Sequence, residues 1–433
     1  MTSLTRDDVT TVAIVGAGPA GLVAAHMLQR AGVEFVVLER HARTDMGSMA
    51  KAGAIDYRTV EALKSVGIAD SILRFEHTNY CCEFRTPEES VVFDYGTLTG
   101  DRPHYVYPQH ELVAVLRNAL VAAGGDIRFG IEVTGVDHDD TGATLSIIDD
   151  SGERGTIRCR VVAGCDGARG VIAGALRNCT IVEQSLPVRW LAVLGTTGPL
   201  EPHTIYAAHP RGFAGQMRRL PDLTRFYLEI PATDTLADWP EVRVRAELTT
   251  RLLVPGRLDA VDFIEPSLVD LRMKMTTPMQ DGCVFVAGDA AHVITPAGGK
   301  GMNLAIQDAV ELAHGLIERF GPRDDGTRLD QYSDTRLPAI WRTQAFSRWM
   351  LRLILAGSDD ADGQGDSVTF GAGLRQGWIS ALQHDPTLAR WFAYAYAGVD
   401  PDEFATVVDE QALTAIGRRR RSGRDCGCSA TGG

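Results

Sequence analysis

The stretch TVAIVGAGPAGLVAAHMLQRAGVEFVVLER, residues 11–40, decides the fold. Residues 11–15 are an apolar, strand-sized run, GAGPAG at 16–21 is a glycine turn, and Leu22, Ala25, His26 and Leu28 then recur at helical spacing. A second apolar run, 34–38, ends on Glu39, 23 residues after Gly16. By itself Gly16-x-Gly18-x-x-Gly21 is common by chance. Between a strand and a helix, with an acid at that distance, it reads as a dinucleotide fingerprint. Gly16 permits the tight turn, Gly18 lets a pyrophosphate approach the backbone, and Gly21 allows close helix packing. The helix N-terminus favours the phosphate charge, and Glu39 accepts hydrogen bonds from ribose hydroxyls. At this point the dinucleotide can be NAD or FAD.

Outward from that stretch, 433 residues suit two or three domains, with 45% hydrophobic and 23% charged residues near globular averages. No apolar run approaches the ~18–20 residues of a membrane span. The opening MTSLTRDDVTT has no apolar signal core, so a cytoplasmic protein is expected. A net charge of −13 argues against a nucleic-acid surface, and the basic run Arg418 to Arg421 lies in a Gly/Ser-rich tail. Eight cysteines, at 81, 82, 159, 165, 179, 283, 426 and 428, lack paired CxxC spacing, which argues against a zinc site or a disulfide framework.

Further along, residues 57–65 have helical spacing, 78–93 read as short strands, and 132–162 as a β-meander with turns at Asp139-Asp140 and Asp149-Asp150. Strand-like runs at 189–194 and 225–230 alternate with Pro/Gly turns, which suggests a separate sheet domain. A buried strand at 282–287 leads to a helix starting near Met302, and the pattern beyond Arg328 is helical to about Ala397.

Two later motifs each follow a strand: Cys165-Asp166-Gly167-Ala168-Arg169-Gly170, and Gly288-Asp289-Ala290-Ala291-His292 with Pro296 and Gly298 to Gly301. With GAGPAG they resemble the three fingerprints of the flavin-dependent aromatic hydroxylases, the class A FAD monooxygenases. From about residue 10 to 400 the order and spacing are similar to the para-hydroxybenzoate branch. Tyr206-x-x-His209-Pro210-Arg211-Gly212-Phe213, Trp190 and Gly298-x-Lys300-Gly301-x-Asn303-Leu304 add to the likeness. The resemblance implies an α/β fold: a GR2-type Rossmann-like FAD-binding domain (residues 1–75, 98–185 and 270–295) with an inserted mixed β-sheet substrate domain (76–97 and 186–269). A helical C-terminal region (296–408) and a disordered tail (409–433) complete it.

It also implies non-covalent FAD, held by Gly16, Gly18, Gly21, Glu39, Arg40, Ser48, Lys51, Gln109, Arg225, Asp289, Gly301, Met302 and Asn303, with Asp289 on the ribityl hydroxyls. NADPH or NADH is the transient reductant, met by Arg40, His41, Lys51 and Arg169; O2 is co-substrate, and a homodimer is a further expectation. Oxygen insertion by a flavin C4a-hydroperoxide ortho to a phenolic hydroxyl needs an electron-rich ring, so the phenol must lose its proton. In the family two tyrosines pass that proton to a histidine, and Tyr206, Tyr396 and His77 match. Arg219 and Tyr227 match the carboxylate-binding Arg and Tyr, and Pro296 also lines the substrate. Met217 stands where the family has a serine, and Met cannot donate a hydrogen bond. Two family arginines appear as Met49 and Lys51.

The expected substrate is a 4-hydroxybenzoate-type acid. The rival is a decorated hydroxybenzoate such as 3-amino-4-hydroxybenzoate, and the non-enzyme rival a flavin-binding ligand sensor. His292 is read as a backbone-orienting residue without a side-chain partner, Cys81 and Cys82 as packing thiols, and Trp341, Phe346 and Trp349 as helix packing or a dimer contact.

Overall fold

The computed structural model describes residues 8–42, 53–70, 78–355, 367–399 and 418–419. The chain divides into two compact units, residues 1–75, 107–184 and 272–344 forming the first and 76–106, 185–271 and 345–433 the second. The helical stretch beginning at 296 is shared between them, dividing at 344/345. No described helix is long and apolar enough to cross a membrane.

In the first unit the fingerprint strand Asp8–Val15 is central to a sheet. Phe35–Glu39 and the end of Arg154–Gly164 flank it in parallel, then Ile127–Phe129 and Val284–Val286 lie outside them. Val12, Ala13, Ile14, Val36 and Val37 are buried, as expected for parallel strands covered on both faces. Strands Ile131–Asp139, Gly142–Asp149 and Arg154–Gly164 form the anticipated antiparallel meander. Helix Pro19–Ala31 has Pro in its first turn and ends on Gly32 at φ 72°, the usual start and stop residues. It packs on helix Gly301–Phe320.

In the second unit, strands Thr204–His209, Gly212–Leu220, Leu223–Pro231 and the 188–195 end of Thr180–Gly195 pair antiparallel, while Cys81–Arg85 joins Thr204–His209 in parallel. The sheet is therefore mixed. Alternation gives it two faces. One carries Leu191, Val193, Ile205, Ala207, Ala214, Phe226, Leu228 and Ile230 into a core completed by Val244 and Leu248 of helix Glu241–Arg251. The other is therefore left for Trp190, Ala192, Tyr206, Phe213, Gly215, Met217, Arg225 and Tyr227. Helix Pro386–Ala397 is capped by Asp385, which accepts from Thr387 N and Leu388 N, and stopped by Gly398 at φ 70°. Phe346 and Trp349 pack with Trp391 and Phe392, as the helical spacing suggests, while Trp341 is half exposed. Cys81 and Cys82 are buried packing thiols. The tail departs from expectation at Arg418–Arg419, which pair antiparallel with Val91 and Val92 of strand Ser90–Asp94. A sheet edge presents unpaired amides and carbonyls, and any extended segment can satisfy them.

Candidate active site

The first unit holds a cradle of the shape a dinucleotide requires. Gly16 has φ 101°, and a Cβ there would lie 2.4 Å from Cys165 O; at Gly21 it would lie 2.0 Å from Gly16 O. Both glycines are obligatory for the turn. A Cβ on Gly18 would meet nothing within 4 Å, so Gly18 borders open space at the helix N-terminus, which no side chain among the described residues caps. Those orphan amides are what a pyrophosphate satisfies. Glu39 is buried, and its Oε2 accepts from Ala17 N at 2.8 Å. Its Oε1 accepts from His41 N at 2.9 Å and lies 2.7 Å from His41 Nδ1. A carboxylate offers about four lone-pair sites, so these three contacts leave one for a ribose hydroxyl. Arg40 and Arg169 are exposed, and Gln109 opens helix Gln109–Ala122 half-buried.

The second cofactor segment, residues 288–303, is also built around buried polar groups. Gly288 has φ 61° and Asp289 is exposed beside it. Contrary to the expectation of a partnerless His292, its Nε2 lies 2.5 Å from Asp308 Oδ2. Asp308 comes from the next helix, a juxtaposition local spacing does not announce. Lys300, 3% exposed, places Nζ 3.6 Å from Asp56 Oδ2; burial lowers its pKa and Asp56 opposes that. Asn303 Oδ1 accepts from Asp56 N at 3.0 Å, and its Nδ2 donates to Ala54 O and Gly299 O. Gly301 and Met302 begin the helix at this point, and Pro296 O accepts from Gly299 N at 3.0 Å. These residues fit FAD: open amides for phosphate, a buried acid for ribose, and an exposed acid on a rigid turn.

In the second unit, the sheet register sets Tyr206 opposite Gly215, Gly215 opposite Tyr227, and Tyr227 opposite Ala192. The two tyrosines are thus two strands apart, about 10 Å in the hydrogen-bonding direction, with a residue lacking a side chain between them. Phe213 leans over Gly215, where a Cβ would lie 2.6 Å from its Cζ. Phe213 packs 4.7 Å from the Trp190 ring, and Trp190 lies 5.3 Å from Tyr227. Met217 pairs with Arg225, and the register shifts between Arg218 and Leu220, so Arg219 occupies a bulge that re-aims its side chain. Arg219 and Arg225 are 5% and 4% exposed. Burial lowers the Arg219 pKa, Tyr227 opposes that, and Arg225 reinforces it. A buried electropositive patch next to a tyrosine suits a carboxylate.

Tyr206 and Tyr396, 190 residues apart, meet with hydroxyl oxygens 3.0 Å from each other. Both are at most 5% exposed, and burial raises both pKa values, with the Tyr396 bond partly offsetting this for Tyr206. Neither is a free-standing base at neutral pH. Together they can pass a proton along a hydroxyl chain. Phe84 stacks on Tyr206, and Tyr95, His104 and Phe392 surround Tyr396. His104 Nε2 lies 2.5 Å from the Tyr396 carbonyl oxygen and fixes the helix end that carries the tyrosine. Sequence reading missed His104, Asp56, Asp308 and Gly215; the last had a signal, the alternation that places it on the Tyr206 face. Ser48, Met49, Lys51 and His77 lie outside the described residues.

A glycine cradle on the parallel sheet of the first unit and a buried tyrosine pair in the second are the parts of a dinucleotide-dependent oxidoreductase of aromatic compounds. Residues 9–347 match the family described as FAD binding domain, and the chain belongs to that family of FAD-dependent aromatic monooxygenases. It is 33% identical over 356 residues to p-hydroxybenzoate hydroxylase of Acinetobacter baylyi, covering 80% of this chain and 86% of that protein. It is 27% identical to 12-dehydrotetracycline 5-monooxygenase/anhydrotetracycline 6-monooxygenase of Streptomyces rimosus, covering 95% and 82%. The crystal structure of p-nitrophenol 4-monooxygenase from Pseudomonas putida superposes with TM-score 0.78 at 23% identity, over 91% of this chain and 99% of that one, a likeness of fold.

Proposed function

We propose that this enzyme uses NAD(P)H and O2 to hydroxylate a 4-hydroxybenzoate-type acid ortho to its phenolic hydroxyl. The observation that carries the reading is the buried Tyr206–Tyr396 hydroxyl pair, with Tyr227 on the same sheet face as Tyr206 and the buried Arg219 electrostatically close to Tyr227. A phenol attacks an electrophilic oxygen well only as phenolate, and a buried pair of hydroxyls conducts its proton away while itself staying neutral, so the negative charge is left on the substrate ring. Arg219 offers a carboxylate the bidentate fork that a lysine lacks, and Tyr227 adds a hydroxyl. Bound FAD, held non-covalently by Gly16, Gly18, Gly21, Glu39 and Asp289, supplies hydride acceptance and oxygen activation. The likeness to p-hydroxybenzoate hydroxylase supports the substrate class.

Met217 favours a second reading within that class, a ring carrying a further substituent such as an amino group, because Met217 offers the acid no hydrogen bond. A panel of substituted benzoates and larger phenolics, followed by NADPH and NADH oxidation with product identification, tests both readings. A product from a non-acidic polycyclic phenol alone, with no turnover of any hydroxybenzoate, refutes them.

A further inference from the structure

Beneath the Gly288–Asp289 turn lies a buried ionic cluster. Asp308, on helix Gly301–Phe320, is fully buried. Its Oδ2 accepts from Gly288 N at 3.0 Å and lies 2.5 Å from His292 Nε2, while Oδ1 accepts from Arg336 Nε at 2.8 Å. His292 and Arg336 are 1% and 7% exposed. Burial pushes the Asp308 carboxyl pKa up, but His292 and Arg336 outweigh it and hold the group below the ordinary carboxylate range.

The turn has little freedom of its own. Gly288 sits at φ 61°, a Cβ there would lie 2.8 Å from Ala305 Cβ, and Ala291 N donates back to Gly288 O at 2.9 Å. The Gly288 amide is thus bonded to Asp308 and its carbonyl to Ala291 N, and Asp289, the next residue, carries its exposed side chain on that hydrogen-bonded turn. Buried ion clusters are poor devices for raising stability, since apolar packing of equal volume does as well. What a carboxylate does that apolar packing cannot is take hydrogen bonds from an amide, an imidazole and a guanidinium at once, locking three elements to one point.

We propose that Asp308 is a positioning residue for the cofactor: by fixing the Gly288 amide it aims Asp289 at the ribityl chain of FAD, with His292 and Arg336 holding the Asp308 side chain in place. This rests on the reading of Asp289 as the ribityl-binding acid.

The test is flavin affinity of the full-length apoprotein, titrated with FAD by fluorescence quenching, and with ADP by calorimetry, for Asp289→Ala, Asp308→Asn and the double variant. Asp289→Ala is expected to weaken FAD roughly tenfold or more, and Asp308→Asn by a similar factor. In the double variant the second change should add almost nothing, because both act through one contact. ADP lacks the ribityl chain, so its affinity should stay at the wild-type value throughout. Multiplicative losses in the double variant, or ADP binding that falls in step with FAD, overturn the proposal while leaving Asp289 in place. An Asp289→Ala variant with wild-type FAD affinity removes the Asp289 reading and the proposal with it. Should Asp308→Asn not fold, His292 decides: Gln keeps a donor near the Nε2 position and should preserve FAD affinity, whereas Ala should weaken it. Equal FAD affinity in those two variants overturns the proposal.

Discussion

Replacing Tyr206 by Phe removes one oxygen from the buried hydroxyl pair and little else. The ring stays, so its stacking on Phe84, 5.8 Å between centroids, and its neighbour Phe213 are preserved. Tyr396 loses its 3.0 Å bond to Tyr206, a net loss of about 0.5–1.5 kcal/mol of stability. Substrate binding and flavin reduction by NAD(P)H should persist. Hydroxylation should not, because positioned proton transfer contributes about 10²–10⁴-fold and the ring would remain a neutral phenol. Oxygen consumption would then continue with hydrogen peroxide as its product. The assay is the ratio of hydroxylated product to NAD(P)H consumed, expected to fall to below about a tenth of wild type. Higher pH should restore part of it by ionising the substrate phenol, since the tyrosines themselves are pushed further up by burial. Tyr396→Phe should behave alike, and the double variant no worse than either single one. A wild-type ratio in Tyr206→Phe refutes the relay.

Arg219→Ala should weaken binding of an aromatic acid by about 2–5 kcal/mol, with Lys rescuing only in part; calorimetry on the oxidised enzyme measures it, and unchanged affinity places the acid elsewhere. Met217→Ser should tighten plain 4-hydroxybenzoate by up to ~10-fold, one net hydrogen bond, and no gain means Met217 carries no specificity. Acid precipitation should release intact FAD, and a flavin that stays with the pellet contradicts non-covalent binding. Glu83, 1% exposed, would be raised by burial, but bonds from His203, Arg85 and Ser90 bring its pKa from the ordinary 4.5 down to about 2. Its stabilisation is present above pH 4.5 and lost as pH falls from there towards 2, up to about 3 kcal/mol. Glu83→Gln should flatten acid unfolding curves in that window, and an unchanged curve removes Glu83 from the transition.

Some features were legible because their cause is local. A glycine at 16 or 21 answers to atoms of its own turn or of the strand alongside, and the spacing to Glu39 is the length of one helix and one strand. The meander at 131–164 showed in its Asp and Gly turns, and the Tyr57–Ser65 helix in its spacing. Tyr206 and Tyr396 were named together only through likeness to a family, since no local pattern pairs residues 190 apart.

The sequence by itself therefore determined the dinucleotide fingerprint, the order of the elements and the residue types available for chemistry, because each follows from short-range sterics and the periods of helix and strand. Only the tertiary structure decided which of those residues meet. It joined the tyrosine hydroxyls, placed Gly215 between Tyr206 and Tyr227 through strand register, and set Arg219 in a bulge. It also gave His292 the partner that spacing had denied it, Asp308 one helix further on. Contacts of this kind depend on how whole strands and helices pack, and packing is a property of the assembled core rather than of any segment within it.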